Sequence, residues 1–339
     1  MKNMSSPNNN FGDGAAVIDA YCHVGLPRFG SAEDALAVAD QWRITNSVLV
    51  LGPEVPDYHT LFHAMQGFGE RVRCVGIPFG ETQDQITESV LLQLRAGVLG
   101  LRVEPRILLA YPSIVQDVGE QGRWLYAIGA SDSSEVMLKL LSWLDDYPDA
   151  HIAAPHFLRP HPLFEEGRDH GLLRVLVSHP RFHPIFSRHG GMGSREPYPH
   201  KDFTSWVEQV IETSGWENVL WGSEYPVYTW RDETMETCLQ WLPSLLENMT
   251  PSQRDAVLRH NAQRLIFDQP VPERETVQVP GWIETQFNRD RVVPLFPDGL
   301  RIPMQLYRVL HHRYVQALKQ DPKVRLTAFI MQMLQDTNG

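Results

Sequence analysis

The residues best suited to catalysis lie where two apolar segments of this chain end. Residues 218–226 (NVLWGSEYP) predict a buried strand that stops at one carboxylate, Glu224. Residues 17–23 (VIDAYCH) predict a second strand, which ends in Tyr21 and His23. Barrel enzymes keep their catalytic groups at the carboxyl ends of strands. We therefore predict one site, built between the first and the last strand of the fold.

The strand geometry decides which of these side chains can act together. Alternate residues of a strand share a face, so Asp19, Tyr21 and His23 are predicted to point together. Cys22 then points the opposite way and packs between strand and helix. A further strand-like segment ends in His156. A histidine in that place is either a site residue or a hydrogen-bonded structural residue, and we assign it to the site.

Arginines recur near the ends of other predicted strands, at Arg102, Arg159 and Arg188. The guanidinium group matches the geometry of a carboxylate, to which it can donate two hydrogen bonds. Several such groups at one barrel mouth would bind an anionic substrate. The alternative, that they pair with acidic neighbours such as Glu104, stays open.

The elements that position these residues alternate along the chain. Apolar strand-like segments are separated by helix-like segments, which predicts a parallel sheet. The eight strand candidates are residues 16–23, 47–53, 72–79, 98–104, 124–130, 151–156, 182–187 and 219–224. Their number predicts an α/β fold, a closed (β/α)8 TIM barrel. The competing doubly wound sheet would more often show a glycine-rich phosphate loop after the first strand, and VGLP stands there instead.

The chain divides into three parts. Residues 1–14 are predicted to be a disordered leader without the apolar core of a secretory signal. Residues 15–268 form the predicted barrel. Residues 269–339 form a C-terminal extension, a proline-rich linker followed by helices. This extension is either an outer helical layer, a dimerisation arm that makes a homodimer, or a lid over the barrel mouth.

Charge and composition limit the function. The chain has 30 Lys and Arg against 41 Asp and Glu, a net charge of −11, which argues against nucleic acid as a partner and leaves a small-molecule substrate. No apolar run reaches the roughly 18 residues of a membrane span. The three cysteines form no CxxC pair, which is typical of a reducing compartment, so we expect a cytoplasmic protein.

Several motifs in this order resemble the amidohydrolase superfamily. They are IDAYCH at 18–23, AGVLGLR at 96–102, His156, WGSEYP at 221–226 and NAQRLIF at 261–267. The resemblance is greatest to the metal-dependent hydrolase branch that includes the 2-pyrone-4,6-dicarboxylate lactonases. It covers residues 15–268 and implies a (β/α)8 barrel that hydrolyses an ester, lactone or amide. Some relatives of this kind are decarboxylases.

Two positions depart from the pattern of that family. The first strand normally carries His-x-His, and Tyr21 replaces the first histidine; the last strand normally ends in Asp, and Glu224 replaces it. The resemblance then implies a metal site of His23, His156 and Glu224 that holds one zinc or manganese ion with a water. Members of the branch that work without metal imply the other possibility, a metal-free site.

The leading functional prediction is a hydrolase that acts on a lactone, ester or amide of a small, carboxylate-bearing substrate. Glu224 would be the general base that activates water, because burial raises the pKa of a carboxylate. His23 and His156 would polarise the carbonyl, directly or through a metal, and Tyr21 would donate to the oxyanion. The alternatives are a non-oxidative decarboxylase of an unsaturated or aromatic acid and a non-catalytic, degenerate barrel.

Overall fold

The structure is a computed structural model of the chain. It describes residues 16–160, 169–231, 233–287, 292–294, 301–321, 324, 326, 329–330 and 332–333. The predicted leader, residues 1–14, lies outside the described residues.

Eight strands form one sheet in the order of the sequence. The strands are β1 (Val17–Val24), β2 (Ile44–Leu51), β3 (Val72–Gly76), β4 (Gly100–Val103), β5 (Trp124–Ala127), β6 (His151–Ala154), β7 (Phe182–Phe186) and β8 (Leu220–Trp221). Each pairs in parallel with the next. The chain after β8 returns to β1, where the Glu224 N–H donates to the Tyr21 carbonyl at 2.8 Å and the His23 N–H donates to the Tyr225 carbonyl at 2.6 Å. The predicted (β/α)8 barrel is confirmed, and each predicted segment overlaps an observed strand.

Helices connect the strands and cover the barrel. They are α1 (Ala32–Gln41), α2 (Tyr58–Gly67), α3 (Gln83–Arg95), α4 (Pro105–Ala110), α5 (Pro112–Glu120), α6 (Ser134–Asp146), α7 (His170–Val177), α8 (Thr204–Ser214), α9 (Met235–Leu245), α10 (Pro251–Asp255), α11 (Gly281–Phe287) and α12 (Met304–Gln320). Within the part of the chain that the structure describes, none of these helices has the length and apolarity needed to cross a membrane.

The start of α10 shows how local sequence sets an element. The Thr250 hydroxyl accepts from the Gln253 N–H at 3.3 Å, and the Gln253 side chain accepts from the Thr250 N–H at 2.8 Å. This is a capping box, with Pro251 in the first turn, where its missing N–H costs no helical hydrogen bond. The chain then continues in wider π-helical turns, in which the Asn261 amide donates to the Val219 carbonyl at 2.7 Å. That bond anchors the chain just before β8.

The first strand carries an irregularity that re-aims its side chains. Ala20 and Tyr21, which are consecutive, both belong to the apolar cluster inside the barrel, whereas Cys22 belongs to the cluster between strands and helices. The register between β1 and β2 shifts between Asp19 and Cys22. A bulge of this kind is common next to active sites. The strict alternation that placed Asp19 on one face with Tyr21 and His23 is therefore broken between them.

The C-terminal extension packs along the outside of the barrel towards its mouth. The Glu275 N–H donates to the Arg95 carbonyl at 2.8 Å, at the end of α3. Further along, the Trp282 ring stacks on Phe79 with centroids 6.3 Å apart, and its N–H donates to Glu88 at 2.9 Å.

The last helix, α12, packs against α1. The Lys319 ammonium lies 2.7 Å from the Asp34 carboxylate, and the Gln41 amide donates to the Lys319 carbonyl at 2.8 Å. Between α11 and α12, the strands β9 (Val292–Pro294) and β10 (Arg301–Pro303) form an antiparallel pair. Through these contacts the extension forms an outer layer that reaches the mouth of the barrel. The homodimer through this extension stays a prediction.

Candidate functional site

The centre of the candidate site is an imidazole–carboxylate pair. The His156 Nε2 atom lies 2.9 Å from the Glu224 Oε1 atom, and both residues are almost fully buried. Both follow barrel strands, His156 after β6 and Glu224 after β8. The structure thus brings together two residues that the sequence placed in one site.

The backbone is strained at the same positions. His156, Arg188 and Glu224 have φ values of +61°, +62° and +56°, in the left-handed region that residues with a Cβ rarely adopt. Each such position costs roughly 1–3 kcal/mol and persists only where the surrounding structure holds it. Strained residues of this kind cluster at active sites, and here they follow three neighbouring strands.

Two arginines neutralise the buried carboxylate. The Arg231 Nη2 donates to Glu224 Oε2, and the Arg188 Nη1 lies 3.5 Å from Glu224 Oε1. Burial alone would raise the pKa of Glu224, but Arg231, Arg188 and His156 hold this pKa well below its ordinary value. The expectation that Glu224 has a raised pKa is therefore wrong, because the nearby positive charges outweigh desolvation. Glu224 is ionised at neutral pH, and both of its oxygens are engaged.

The protonation of the two histidines follows from their partners. Glu224 is ionised and can only accept, so the His156 Nε2 carries the proton and donates it. The His23 Nδ1 lies 3.2 Å from the Val50 carbonyl, which also can only accept. Burial lowers the pKa of His156 to about 4 and that of His23 to about 3, so both rings are neutral at pH 7. Their remaining nitrogens, His156 Nδ1 and His23 Nε2, therefore offer lone pairs rather than protons.

Tyr21 contacts both imidazoles. Its ring centroid is 4.8 Å from that of His23 and 5.7 Å from that of His156, edge-on in both cases. Among the described residues, its buried hydroxyl makes no hydrogen bond of ordinary geometry. Burial raises the pKa of Tyr21, while the nearby charges of Arg102 and Arg188 lower it. The hydroxyl stays protonated at neutral pH and is a donor without an acceptor.

Asp19 ties the first strand to the eighth. Its carboxylate accepts from the Tyr21 N–H and from the Ser223 N–H, each at 3.0 Å. These bonds fix the residues on either side of the barrel closure, next to Glu224. Asp19 is thus a positioning residue rather than a member of the group that faces His156.

The three predicted arginines lie in different surroundings. Arg102, which is 9% exposed, donates to Glu104 at 3.0 Å and lines a cavity of about 310 Å³ near the ends of β2, β3 and β4. Gln286, from the extension, lines the same cavity. Arg188 contacts Glu224, as described above. Arg159 instead forms an ion pair with Asp132 at 2.9 Å and acts on the pair from a distance, as one of the charges that lower the pKa of His156.

The predicted metal ligands do not fit a divalent cation in this arrangement. Both oxygens of Glu224 are bonded to imidazole or guanidinium groups, and the His156 Nε2 is committed to the same carboxylate. The Tyr21 ring contacts both His23 and His156. A cation there would also face two guanidiniums, of Arg231 and Arg188, that act on the same carboxylate. In this arrangement Glu224 and the His156 Nε2 are therefore not available as ligands of zinc or manganese.

Sequence reasoning missed Arg231 and Glu233. The Val227–Arg231 segment is a short 3-10 helix that turns the chain back after β8, and its first N–H, of Val227, donates to the Glu224 carbonyl at 2.7 Å. That turn brings Arg231 onto a carboxylate seven residues earlier in the sequence. An arginine within two turns of the strand-end acid is the feature of the sequence that could have predicted this contact.

Comparisons with known proteins place this geometry in context. Residues 131–267 match the sequence model of the family described as Amidohydrolase. No curated protein matches the sequence. The barrel is similar to a probable 2-pyrone-4,6-dicarboxylic acid hydrolase from Acinetobacter baumannii with citric acid bound, with a TM-score of 0.59 and 15% identity over 75% of this chain and 100% of that one.

Two further solved structures share the barrel. A 2,6-dihydroxybenzoate decarboxylase from Rhizobium has a TM-score of 0.56 and 14% identity, over 75% of this chain and 99% of that one. An amidohydrolase from Burkholderia multivorans with bound zinc has a TM-score of 0.57 and 13% identity, over 76% of this chain and 100% of that one. At these identities the likeness is one of fold. Hydrolases and decarboxylases both occur on it, so the choice between them depends on the residues of this site.

Proposed function

We propose that this barrel protein, whose residues 131–267 match the Amidohydrolase family model, hydrolyses a lactone, ester or amide bond of a small substrate that bears a carboxylate. The observation that carries the proposal is the set of guanidiniums around the buried His156–Glu224 pair. Arg188 and Arg231 act on Glu224, and Arg102 and Arg188 act on Tyr21. Arg102 also pairs with Glu104 and Arg231 with Glu233, so Arg188, the most exposed of the three guanidiniums, is the best placed to bind an anionic ligand.

We assign the base to His156 rather than to Glu224. The carboxylate is stabilised by two arginines and is the weaker proton acceptor. The His156 Nδ1 is buried without a hydrogen-bond partner among the described residues, and its lone pair is free. As water attacks the substrate carbonyl carbon, one water proton passes to Nδ1. Glu224 stabilises the imidazolium through the Nε2–H, as the carboxylate does in a serine–histidine–aspartate triad.

Tyr21 is the donor for the oxygen that becomes negative. The carbonyl electrons move to that oxygen as the tetrahedral intermediate forms, and the Tyr21 hydroxyl has no competing acceptor. Collapse of the intermediate breaks the bond to the leaving oxygen or nitrogen, which takes the proton from His156. A donor without a partner in the free protein costs no rearrangement when charge develops, which is the condition for electrostatic catalysis.

The charges favour hydrolysis over decarboxylation. Loss of carbon dioxide requires the substrate carboxylate to give up its negative charge. Guanidinium groups bound to that carboxylate stabilise the reactant more than the transition state and oppose the reaction. A hydrolase keeps the carboxylate intact as a handle while a second carbonyl reacts.

A product assay tests the proposal. Purified protein is incubated with lactones, esters and amides that bear a carboxylate, with the neutral methyl-ester or amide analogues, and with carboxylated aromatics. We expect hydrolysis of a carboxylate-bearing member, with kcat/KM at least about tenfold above its neutral analogue, since one charged hydrogen bond is worth roughly 1.5–3 kcal/mol. Release of carbon dioxide without hydrolysis contradicts the proposal, as does ligand binding without turnover.

A further inference from the structure

A second group of chemically capable side chains lies beside the site. His189 follows β7, Glu233 precedes α9, and Cys238 lies within α9. The His189 Nε2 is 3.8 Å from the Glu233 Oε2, and the Cys238 Sγ is 3.9 Å from the same oxygen. The three atoms lie within 4.8 Å of one another, and all three residues are buried.

The Cys238 thiol donates a long hydrogen bond to Glu233 Oε2, but three other polar atoms of this cluster have no hydrogen bond. Both nitrogens of His189 and the Glu233 Oε1 are buried without a hydrogen-bond partner in the part of the chain that the structure describes. A buried polar group without a partner costs roughly 1–3 kcal/mol, so native proteins rarely leave several together. The His189 ring is held by stacking on Trp241, with centroids 5.4 Å apart and an angle of 19°. Its orientation is therefore fixed by packing, while its nitrogens remain available.

We propose that His189, Glu233 and Cys238 bind a divalent metal ion of the zinc type. A triangle with edges of this length has its centre roughly 2.2–2.5 Å from each corner, close to the zinc–nitrogen and zinc–sulfur bond lengths. Imidazole and thiolate ligands select zinc over magnesium or calcium, which prefer oxygen. The Cys238 thiol loses its proton when the ion binds, and a water fills the remaining position.

The ion would also order the neighbouring arginine. The Arg231 Nε lies 3.5 Å from the Glu233 Oε1, while the Nη2 of the same guanidinium donates to Glu224. Glu233 held by an ion is fixed in place, and Arg231 with it. The inference does not rest on the proposed hydrolysis, because it concerns ligand atoms that the barrel-mouth chemistry does not use.

Metal content tests the site. The full chain is stripped with a chelator, dialysed against zinc and analysed for metal, and its zinc affinity is measured by titration. We expect one equivalent in the wild type and at least a tenfold loss of affinity in Cys238→Ser and Glu233→Gln. Cys74→Ser is the matched control, a buried cysteine whose Sγ donates to the Leu61 carbonyl far from the cluster, and it should retain the metal.

Two further results decide the remaining cases. Cobalt(II) in place of zinc should give a thiolate charge-transfer absorption in wild type and in Cys74→Ser, and its absence in the wild type overturns the proposal whether or not Cys238→Ser folds. Circular dichroism checks the fold of each variant. Zinc that is lost in His23→Asn but retained in Cys238→Ser lies at the barrel mouth, and this result also overturns the proposal.

Discussion

The His156 Nε2 lies 2.9 Å from the Glu224 Oε1 and connects the ends of the sixth and eighth strands inside the barrel. Since Arg231 and Arg188 keep the carboxylate ionised, the shared proton belongs to the imidazole. The proton is therefore held on Nε2, between imidazole and carboxylate, and the free lone pair is on Nδ1. In this arrangement Glu224 orients the His156 ring and would stabilise it when Nδ1 takes up a proton.

Glu224→Gln should abolish most of the activity. The amide keeps the shape but cannot stabilise an imidazolium, so we expect kcat to fall roughly 10²–10⁴-fold. Stability should fall too, because Arg231 and Arg188 lose their partner; breaking a buried pair costs about 3–5 kcal/mol, and less where solvent reaches Arg188. Steady-state kinetics and urea unfolding measure the two effects. Glu212→Gln, at an exposed position, is the control, and near-wild-type turnover in Glu224→Gln contradicts the assignment.

Substitutions of the three arginines should differ in their effect on KM. Arg188→Gln and Arg102→Gln are expected to raise KM for the carboxylate-bearing substrate roughly tenfold or more, since each removes a charged hydrogen bond. Arg159→Gln should leave KM unchanged, because Arg159 pairs with Asp132. The comparison uses the same substrate with and without its carboxylate. An Arg159 effect equal to that of Arg188 would restore the prediction made from the sequence and reject the grouping seen in the structure.

The barrel could be predicted because buried parallel strands have a recognisable sequence pattern. Each is a short apolar segment between helical patterns, so element type and order follow, while boundaries do not. β2 begins at Ile44, before the predicted start at 47, and β8 spans only Leu220–Trp221. The strand-end positions of His156 and Glu224 follow from the same rule, because the topology of a barrel gathers all carboxyl ends at one mouth.

The remaining parts of the site depend on contacts that no local pattern encodes. Arg231 reaches Glu224 only because a 3-10 turn folds the chain back after β8. The sign of the Glu224 pKa shift depends on whether desolvation or the arginine charges have the larger effect. The sequence shows neither the burial of Glu224 nor its distances from the arginines. The bulge in β1 likewise depends on the pairing with β2, so strict alternation misplaced Asp19.

Acid should destabilise the protein through its buried histidines. Burial lowers the pKa of His23 to about 3, that of His156 to about 4 and that of His183 to about 3, while the unfolded chain has the ordinary value of 6.5. Between pH 6.5 and about 4 the unfolded chain therefore binds protons that the folded chain does not. The stability from the neutral rings is complete above pH 6.5 and is lost as the pH falls, at about 1.4 kcal/mol per pH unit for each histidine.

Urea unfolding from pH 7.5 to 5 measures this slope. His183→Gln should make the slope shallower by the contribution of one histidine, because it removes one buried ring that must stay neutral. His260→Gln, at an exposed position, is the matched control and should leave the slope unchanged. Equal slopes in wild type and His183→Gln would mean that His183 does not differ in protonation between the folded and unfolded chains.

The extension should affect substrate binding through Gln286. This residue is 4% exposed and lines the cavity that also holds Arg102, so Gln286→Ala should raise KM several-fold and leave kcat nearly unchanged. Gln278→Ala, also in the extension but lining a different cavity, is the control. A loss of kcat without a change in KM would indicate that Gln286 acts on the chemistry rather than on binding.

Tyr21→Phe separates catalysis from stability. The hydroxyl is buried and has no hydrogen bond of ordinary geometry among the described residues, so its removal should leave the free energy of unfolding unchanged or increase it. The ring and its contacts with His23 and His156 remain. If the hydroxyl donates to the oxyanion, kcat should nevertheless fall about 10²–10³-fold. Unfolding curves and kcat on the same preparations measure both quantities.

Tyr58→Phe, which removes a buried hydroxyl that donates to the Ile77 carbonyl at 3.0 Å, should give the opposite result, a loss of stability without a loss of kcat. A fall in both quantities in Tyr21→Phe would assign the hydroxyl a structural role and leave the oxyanion to the arginines.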